Sequence, residues 1–323
     1  MILALAGGVG GAKLADGLAR HLPVGSLTVV VNTGDDFTPL GLHVSPDLDT
    51  VTYTLAGIAN AEVGWGLAGE TWNFMDALGL LGGTTWFRLG DRDLATHVER
   101  TRRLSTGESL SAITADFRAR LGIAHPIHPM SDAPVRTMVD TDAGPLPFQD
   151  YFVRLRCRPI ARRVWFAGIE DAGPSPGFEQ ALGAADLDAI VICPSNPILS
   201  VLPILDLAGV RSRLEDRRVP LIAISPIVGG KAIKGPAAKI MAELGLDASA
   251  TGIAHFYGDL LDGLVVDRAD TGAATAIEAL GPRVLVTDTV MTSPDDRVRL
   301  ARESVAFARS LAPPSLGPKS PTP

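Results

Sequence analysis

Residues 6–13 read Ala-Gly-Gly-Val-Gly-Gly-Ala-Lys and follow the apolar run at 1–6. Glycines let a backbone approach a ligand closely and adopt positive φ. A helix opening at such a loop offers free N–H groups and partial positive charge, which suits a phosphate. Gly8, Gly10, Gly11 and Lys13 are therefore candidate phosphate-binding residues. Two familiar loops are excluded. A GxGxxG begun at Gly8 meets Lys13 where its last glycine belongs, and a Walker A loop ending on Lys13 meets Ala12 and Leu14 where Gly and Ser or Thr belong.

Acidic residues come next, in Asn32-Thr33-Gly34-Asp35-Asp36 and Ser45-Pro46-Asp47-Leu48-Asp49-Thr50. Carboxylates beside a phosphate site hold a magnesium ion or accept a proton from an attacking hydroxyl. Asp36 and Asp49 are the candidates for metal binding or base catalysis, whereas Asp35 and Asp47 suit the capping of local turns. A charged turn, Trp86-Phe87-Arg88-Leu89-Gly90-Asp91-Arg92-Asp93, precedes a helical pattern that carries His97. Arg88 or Arg92 there can meet an anion or a ring carbonyl, with Asp91 fixing the orientation. Trp65, Trp72 and Trp86 could wall a flat aromatic ligand, although core packing is the commoner use of tryptophan. Further on, Ser195 and Asn196 in one loop, and Gly229, Gly230, Lys231 and Lys234 near another, can offer hydroxyls, N–H groups and charge to a nucleotide.

The elements that must position these residues are legible as a rhythm. Short apolar, β-branched runs at 27–31, 189–193, 219–224 and 264–266 read as buried parallel strands. Helical patterns occupy 12–21, 94–103, 109–121, 235–244 and 295–310. The alternation predicts a doubly wound α/β fold with a mostly parallel sheet. Residues 125–170 break the rhythm and predict an antiparallel patch of short strands beside the main sheet. The organisation expected is one Rossmann-like domain over 1–312, an α+β insertion at about 85–170, and a disordered Pro/Ser-rich tail at 313–323.

The bulk composition narrows the class. The 323 residues are 46% hydrophobic and carry a net charge of −7, which argues against a general nucleic-acid binder. Cys157 and Cys193 lie in separate apolar runs without CxxC spacing, so buried free thiols are expected. No unbroken apolar stretch reaches the ~18 residues of a membrane span, and the N-terminal apolar run is too short for a signal peptide. The cytoplasm is the expected location, and a homodimer is the expectation for a soluble enzyme.

As an ordered set, these motifs resemble the 2-phospho-L-lactate transferase family of coenzyme F-420 biosynthesis. The resemblance rests on AGGVGGAKL at 6–14, NTGDD at 32–36, SPDLDT at 45–50, LGDRDLATH at 89–97, GESL at 107–110 and HPMSDAPVRT at 128–137. It continues through FQDY at 148–151, PSNPILS at 194–200, SPIVGGKAIKGPA at 225–237 and DTVMTS at 288–293. It implies a Rossmann-like sheet and a magnesium-assisted reaction. In that reaction the ribityl hydroxyl of the deazaflavin FO attacks the phosphate of a guanylyl-activated phospho-acid, and GMP leaves. Carried onto this sequence, it implies that Asp49, Arg88, Asp91 and Arg92 face FO and that Asp36 and Asp49 serve magnesium or act as base. Gly8, Gly10, Gly11 and Lys13 would serve the phosphates, and Ser195, Asn196 and residues 229–231 the guanylyl side. The acid carried, phospholactate, phosphoenolpyruvate or phosphoglycerate, stays open. One rival is a nucleotide-sugar-binding regulator of the related gluconeogenesis-factor type, which shares the glycine loop. Another is an NAD-dependent oxidoreductase, disfavoured by the broken GxGxxG and by Asn32 where a ribose-binding acid belongs.

Overall fold

The computed structural model describes residues 1–232 and 235–311, so Lys234 and the tail at 313–323 lie outside it. The chain opens with strand β1 (Ile2–Ala6), helix α1 (Gly8–His21) and β2 (Leu27–Val31). Then come helices α2 (Pro46–Leu55), α3 (Asn73–Leu80), α4 (Asp93–Ser105) and α5 (Leu110–Arg120). Strands β3 (Ile127–Pro129), β4 (Arg136–Thr141), β5 (Gly144–Pro147) and β6 (Ala161–Ala167) follow. After them stand β7 (Ala189–Ile192), β8 (Leu221–Ile224), β9 (Ile227–Val228), β10 (Lys231–Ala232), β11 (Gly263–Asp267) and β12 (Arg283–Thr287). The helix Pro294–Leu311 closes the described chain.

Seven strands form one sheet in the order β12-β11-β8-β7-β1-β2-β3, with every pairing parallel. This is the Rossmann-like doubly wound fold expected. Strands β1, β2, β7 and β8 are buried at every residue, because helices cover both faces, and all but Thr28 are apolar. One cluster of core residues lies on each side of the sheet: Leu3, Leu5, Ile190 and Ile192 face one, and Ile2, Ala4, Ala189 and Val191 face the other. The period of two along a strand produces that split. Cys157 and Cys193 are free and buried.

The insertion differs in detail from its expected form. Its first part holds α4 and α5, as the helical patterns at 94–103 and 109–121 predict. Ile127–Pro129, expected in the antiparallel patch, instead extends the main sheet by pairing in parallel with β2. The patch itself is the three-stranded antiparallel sheet β5-β4-β6. A separate small core of Val44, Met75, Leu89 and Leu94 ties α3 and α4 to the body.

Helix α1 packs against the helix Pro294–Leu311 through Gly17, where an added Cβ would collide with the carbonyl oxygen of Arg297. Asp16 beside it accepts from Arg297 at 3.0 Å and from Arg20 at 2.8 Å. In an open helix Gly→Ala stabilises by up to ~1 kcal/mol. Here a backbone atom opposes the new carbon and cannot rotate away, so Gly17→Ala is expected to destabilise by about 1–3 kcal/mol. Urea unfolding measures this, and an unchanged midpoint would mean that the helix pair can part without loss.

Candidate active site

Strand order reverses between β7 and β2 on either side of β1, and ligands of such sheets bind in the crevice beyond the strand ends at that point. A cavity of about 1000 Å³ lies there. Its walls include Gly8, Gly10 and Lys13 after β1, Ser195 and Asn196 after β7, and Ser225 after β8. Thr289 and Thr292 after β12 join them, with Arg88, Phe148 and Phe152 from the inserted segments.

The glycine loop and the loop after β7 abut. The Gly7 N–H donates to Ser195 Oγ at 3.0 Å. A Cβ at Gly10 would strike the carbonyl oxygen of Pro194, and one at Gly11 would lie 2.6 Å from Ser195 Oγ. Helix α1 then starts at Gly8 with no side-chain cap and no acidic residue in its first turn, so its positive end faces the cavity. Lys13 Nζ donates to the Met291 carbonyl at 2.7 Å, which fixes the ammonium at the cavity wall.

Four aspartates gather beside that helix end, and their surroundings divide them. Asp36 Oδ2 accepts from Ser45 Oγ at 2.8 Å and lies 2.9 Å from His43 Nε2, while its buried Oδ1 has no partner. Asp49 is held by both Nη groups of Arg100, at 3.0 Å from Nη1 and in direct contact through Nη2, with His97 Nδ1 at 3.7 Å. Asp35 and Asp47 have no cationic partner. Burial, and then the charge of Asp47, raise the Asp35 carboxyl well above its usual range, against opposing hydrogen bonds from Asn32 and Thr137. Burial also raises Asp47, although Asn32, the Gly8 N–H and Ser200 all donate to it and pull the other way. Asp35, Asp47 and Asp49 line the cavity, and Asp36 stands behind it.

Magnesium can be tested against this donor set. Among the described residues no group of three His, Cys, Asp or Glu side chains is arranged to hold a metal alone. Magnesium needs fewer protein ligands, because it retains water and takes phosphate oxygens. Asp35 and Asp47, buried together without a cation, fit that demand. Of the two residues expected from sequence, Asp36 is turned to His43 and Ser45, and Asp49 is neutralised by Arg100.

The charged turn is also divided. Arg88 reaches the cavity and lies 4.1 Å over the ring of Trp72. Asp91 caps α3 instead, accepting from the backbone N–H groups of Asn73 and Phe74 at 3.0 Å each and from Thr71 Oγ1 at 2.5 Å. Arg92 Nη1 donates to the Ala68 carbonyl at 2.6 Å, away from the cavity wall. Trp65 lines the cavity, whereas Trp86 packs on Phe37 and Phe87. Asn196 Oδ1 caps the helical turn that follows it, accepting from Ile198 N at 3.0 Å, and its residue still lines the site. Gly229 and Gly230 make the β9–β10 turn, with φ of 56° and 74°, and Lys231 is exposed; none of the three reaches the wall.

Some cavity residues carry no strong sequence signal. Tyr53, Asp93 and His97 form a buried chain: Tyr53 Oη donates to Asp93 Oδ1 at 2.6 Å, and His97 Nε2 stands 3.3 Å from the same oxygen. Burial works to raise Asp93, yet His97, Tyr53 and Arg100 hold it below the usual range. The i, i+4 spacings of Asp49 with Tyr53 and of Asp93 with His97 are the signal that could have found them.

The raised carboxyls make a stability prediction. A group whose folded pKa lies above its unfolded value contributes stability that is full below the unfolded pKa and is lost as pH rises through the folded one. Asp35 and Asp47 therefore weaken the metal-free fold at neutral pH. Asp35→Asn is expected to raise Tm at pH 7 by about 2–4 °C, on the order of 1 kcal/mol. The gain should shrink as pH falls toward the ordinary carboxylate range. Calorimetry at several pH values reads this, and a gain that does not vary with pH would contradict it.

The comparisons with known proteins concern the family and the fold. Residues 2–296 match the family described as 2-phospho-L-lactate transferase CofD. A Streptomyces griseus subsp. griseus protein named phosphoenolpyruvate transferase is 42% identical over 316 residues, covering 96% of this chain and 99% of that one. A Methanosarcina mazei protein named 2-phospho-L-lactate transferase is 39% identical over 300 residues, covering 93% and 98%. The crystal structure of protein BH3568 from Bacillus halodurans superposes with a TM-score of 0.60 at 16% identity, covering 94% of this chain and 98% of that one. At that identity the likeness concerns the fold alone.

Proposed function

The chain belongs to the CofD family of 2-phospho-L-lactate transferases, and from that premise we propose that it transfers an enolpyruvyl phosphate group from a guanylyl-activated donor to the deazaflavin FO in coenzyme F-420 biosynthesis. The observation that carries the reading is one cavity in which a helix start behind a glycine loop faces two buried carboxylates held only by neutral donors and a third held by arginine. The choice of acid follows the relative at 42% identity, whose name is phosphoenolpyruvate transferase, over the one at 39%, named for phospholactate.

In the proposed reaction the ribityl hydroxyl oxygen of FO bonds to the phosphorus that bears the acid. The bond from that phosphorus to the GMP oxygen breaks, GMP leaves, and a phosphodiester results. Such transfers need in-line placement and charge neutralisation more than covalent help. The N–H groups at the start of α1, with Lys13, take phosphate oxygens. Asp35 and Asp47 would hold magnesium, which would supply charge neutralisation to the diphosphate. Asp49 accepts the hydrogen bond and then the proton of the attacking hydroxyl. Its ion pair with Arg100 fixes it in place, and a loose transition state, where the proton departs late, asks little of the base. Ser195 and Asn196 serve the guanylyl part, and Arg88 with Trp65 and Phe152 borders the deazaflavin. A cytoplasmic homodimer belongs to the same proposal.

The experiment is a mixing assay. Purified protein is combined with FO, GTP, magnesium and the partner guanylyltransferase, and each phospho-acid is offered in turn. Expected is an FO-derived product heavier by one enolpyruvyl phosphate unit, with GMP released. Product with phospholactate or phosphoglycerate instead would overturn the acid. No product with any acid, together with tight binding of a nucleotide sugar, would favour the regulatory binder. In the same assay Asp49→Asn should lower turnover by about 10²- to 10⁴-fold without loss of fold, and near-normal turnover would remove Asp49 from the mechanism.

A further inference from the structure

Arg100 has no place in the motifs that suggest a phosphate site, yet the structure puts it under one of the cavity's reactive groups. It projects from the second turn of α4 and is 2% exposed. Its two Nη groups take the two oxygens of Asp49, which stands in the first turn of α2 and is 6% exposed. Nη1 also approaches the His43 carbonyl at 3.4 Å. His97, one turn earlier on α4, closes the other side of Asp49 at 3.7 Å, and Asp93 and Tyr53 complete the wall. Asp49, His97, Asp93 and Tyr53 line the cavity, whereas Arg100 does not.

A buried ion pair is weak support for stability, because the desolvation of two charges offsets their attraction. A two-point fork does something a hydrophobic pair cannot: it fixes the plane of a carboxylate. Asp47 and Asp49 lie two residues apart on α2, so they point to different sides of the helix. Asp47 turns to the N–H of Gly8 at the start of α1, and Asp49 turns to α4. With both oxygens gripped from behind, Asp49 presents its remaining lone pairs to the cavity in one orientation.

We propose that Arg100 is a positioning residue that sets the plane of Asp49, and thereby aligns the attacking hydroxyl of the acceptor alcohol with the phosphorus. This rests on the acceptor role given to Asp49 above. The acceptor side of the reaction should therefore depend on Arg100, and the donor side should not.

The test uses the full chain with Arg100→Lys, which keeps the charge and loses the fork. FO affinity is read by fluorescence titration, and kcat and the donor KM are read in the complete assay. Expected are FO binding weakened about 10-fold, kcat lowered about 100-fold and a donor KM within twofold of the unaltered protein, changes of the size that misplacing a reacting group produces. The double variant Arg100→Lys/Asp49→Asn should lose no more than Asp49→Asn alone, since Arg100 acts only through Asp49. If Arg100→Lys does not fold, the neutral pair Arg100→Gln/Asp49→Asn leaves no buried charge and should again match Asp49→Asn alone. Losses that multiply in either double variant, or unchanged FO affinity and turnover in Arg100→Lys, would overturn the role of Arg100. Failure of the unaltered protein to bind FO would instead overturn the acceptor reading itself, so the two failures are distinct.

Discussion

The site depends on one tight contact, between the loop that leaves β1 and the loop that leaves β7. Parallel strands on either side of a reversal must send their chains apart, and the crevice between them is open only if the two loops do not fill it. Here the loops touch at the base through Gly7 and Ser195, and the approach is too close for side chains at Gly10 or Gly11. The opposing group at Gly10 is a backbone carbonyl, so no rotamer change relieves a Cβ there. Glycine in this loop thus secures two results together. It seats α1 with its N–H groups toward the crevice, and it holds Ser195 and Asn196 at the same depth on the other side.

Around that helix end the fold handles four carboxylates in different ways. Asp36 is engaged through one oxygen by Ser45 beside His43, and Asp49 is neutralised by Arg100. Asp35 and Asp47 are left facing each other's charge with only neutral donors for relief. A protein selected for stability alone would not keep the second pair, since buried like charges favour protonation and weaken the fold at neutral pH. Their retention beside a phosphate-type loop makes sense if a cation and anionic oxygens complete the site.

Much of this was readable in the sequence, and the failures have physical causes. The strands at 27–31, 189–193, 219–224 and 264–266 were legible because a strand buried on both faces is apolar at nearly every position. Helix α1 starts at Gly8 rather than at 12, because the glycine loop itself winds into the first turn. The sequence pattern assigned no helix to 45–50, yet Pro46 begins one, and helical geometry is what sends Asp47 and Asp49 to different neighbours. Their assignment as cap and ligand could not be made without that direction. Arg88 was recognisable, but Asp91 and Arg92 are drawn off by groups far away in the chain: the start of α3 and the carbonyl of Ala68. Arg100 was invisible for the same reason, because its partner lies 51 residues away.

The two parts of the cavity have different origins in the fold. The sheet and its strand-end loops provide one side: the start of α1, Ser195, Ser225 and the segment at 289–292. The insertions provide the rest. Helix α4 alone supplies Asp93 and His97 to the wall and Arg100 behind it, and the loop before it supplies Arg88, braced on Trp72. Phe148 and Phe152, stacked at 5.3 Å, come from the segment after β5. Asp49 sits where the parts meet, carried by a helix of the sheet layer and oriented by a residue of the insertion. The aromatic side of the cavity and the plane of one carboxylate are thus set by residues outside the sheet. The loop after β1, by contrast, is fixed by a backbone contact that admits no side chain at Gly10.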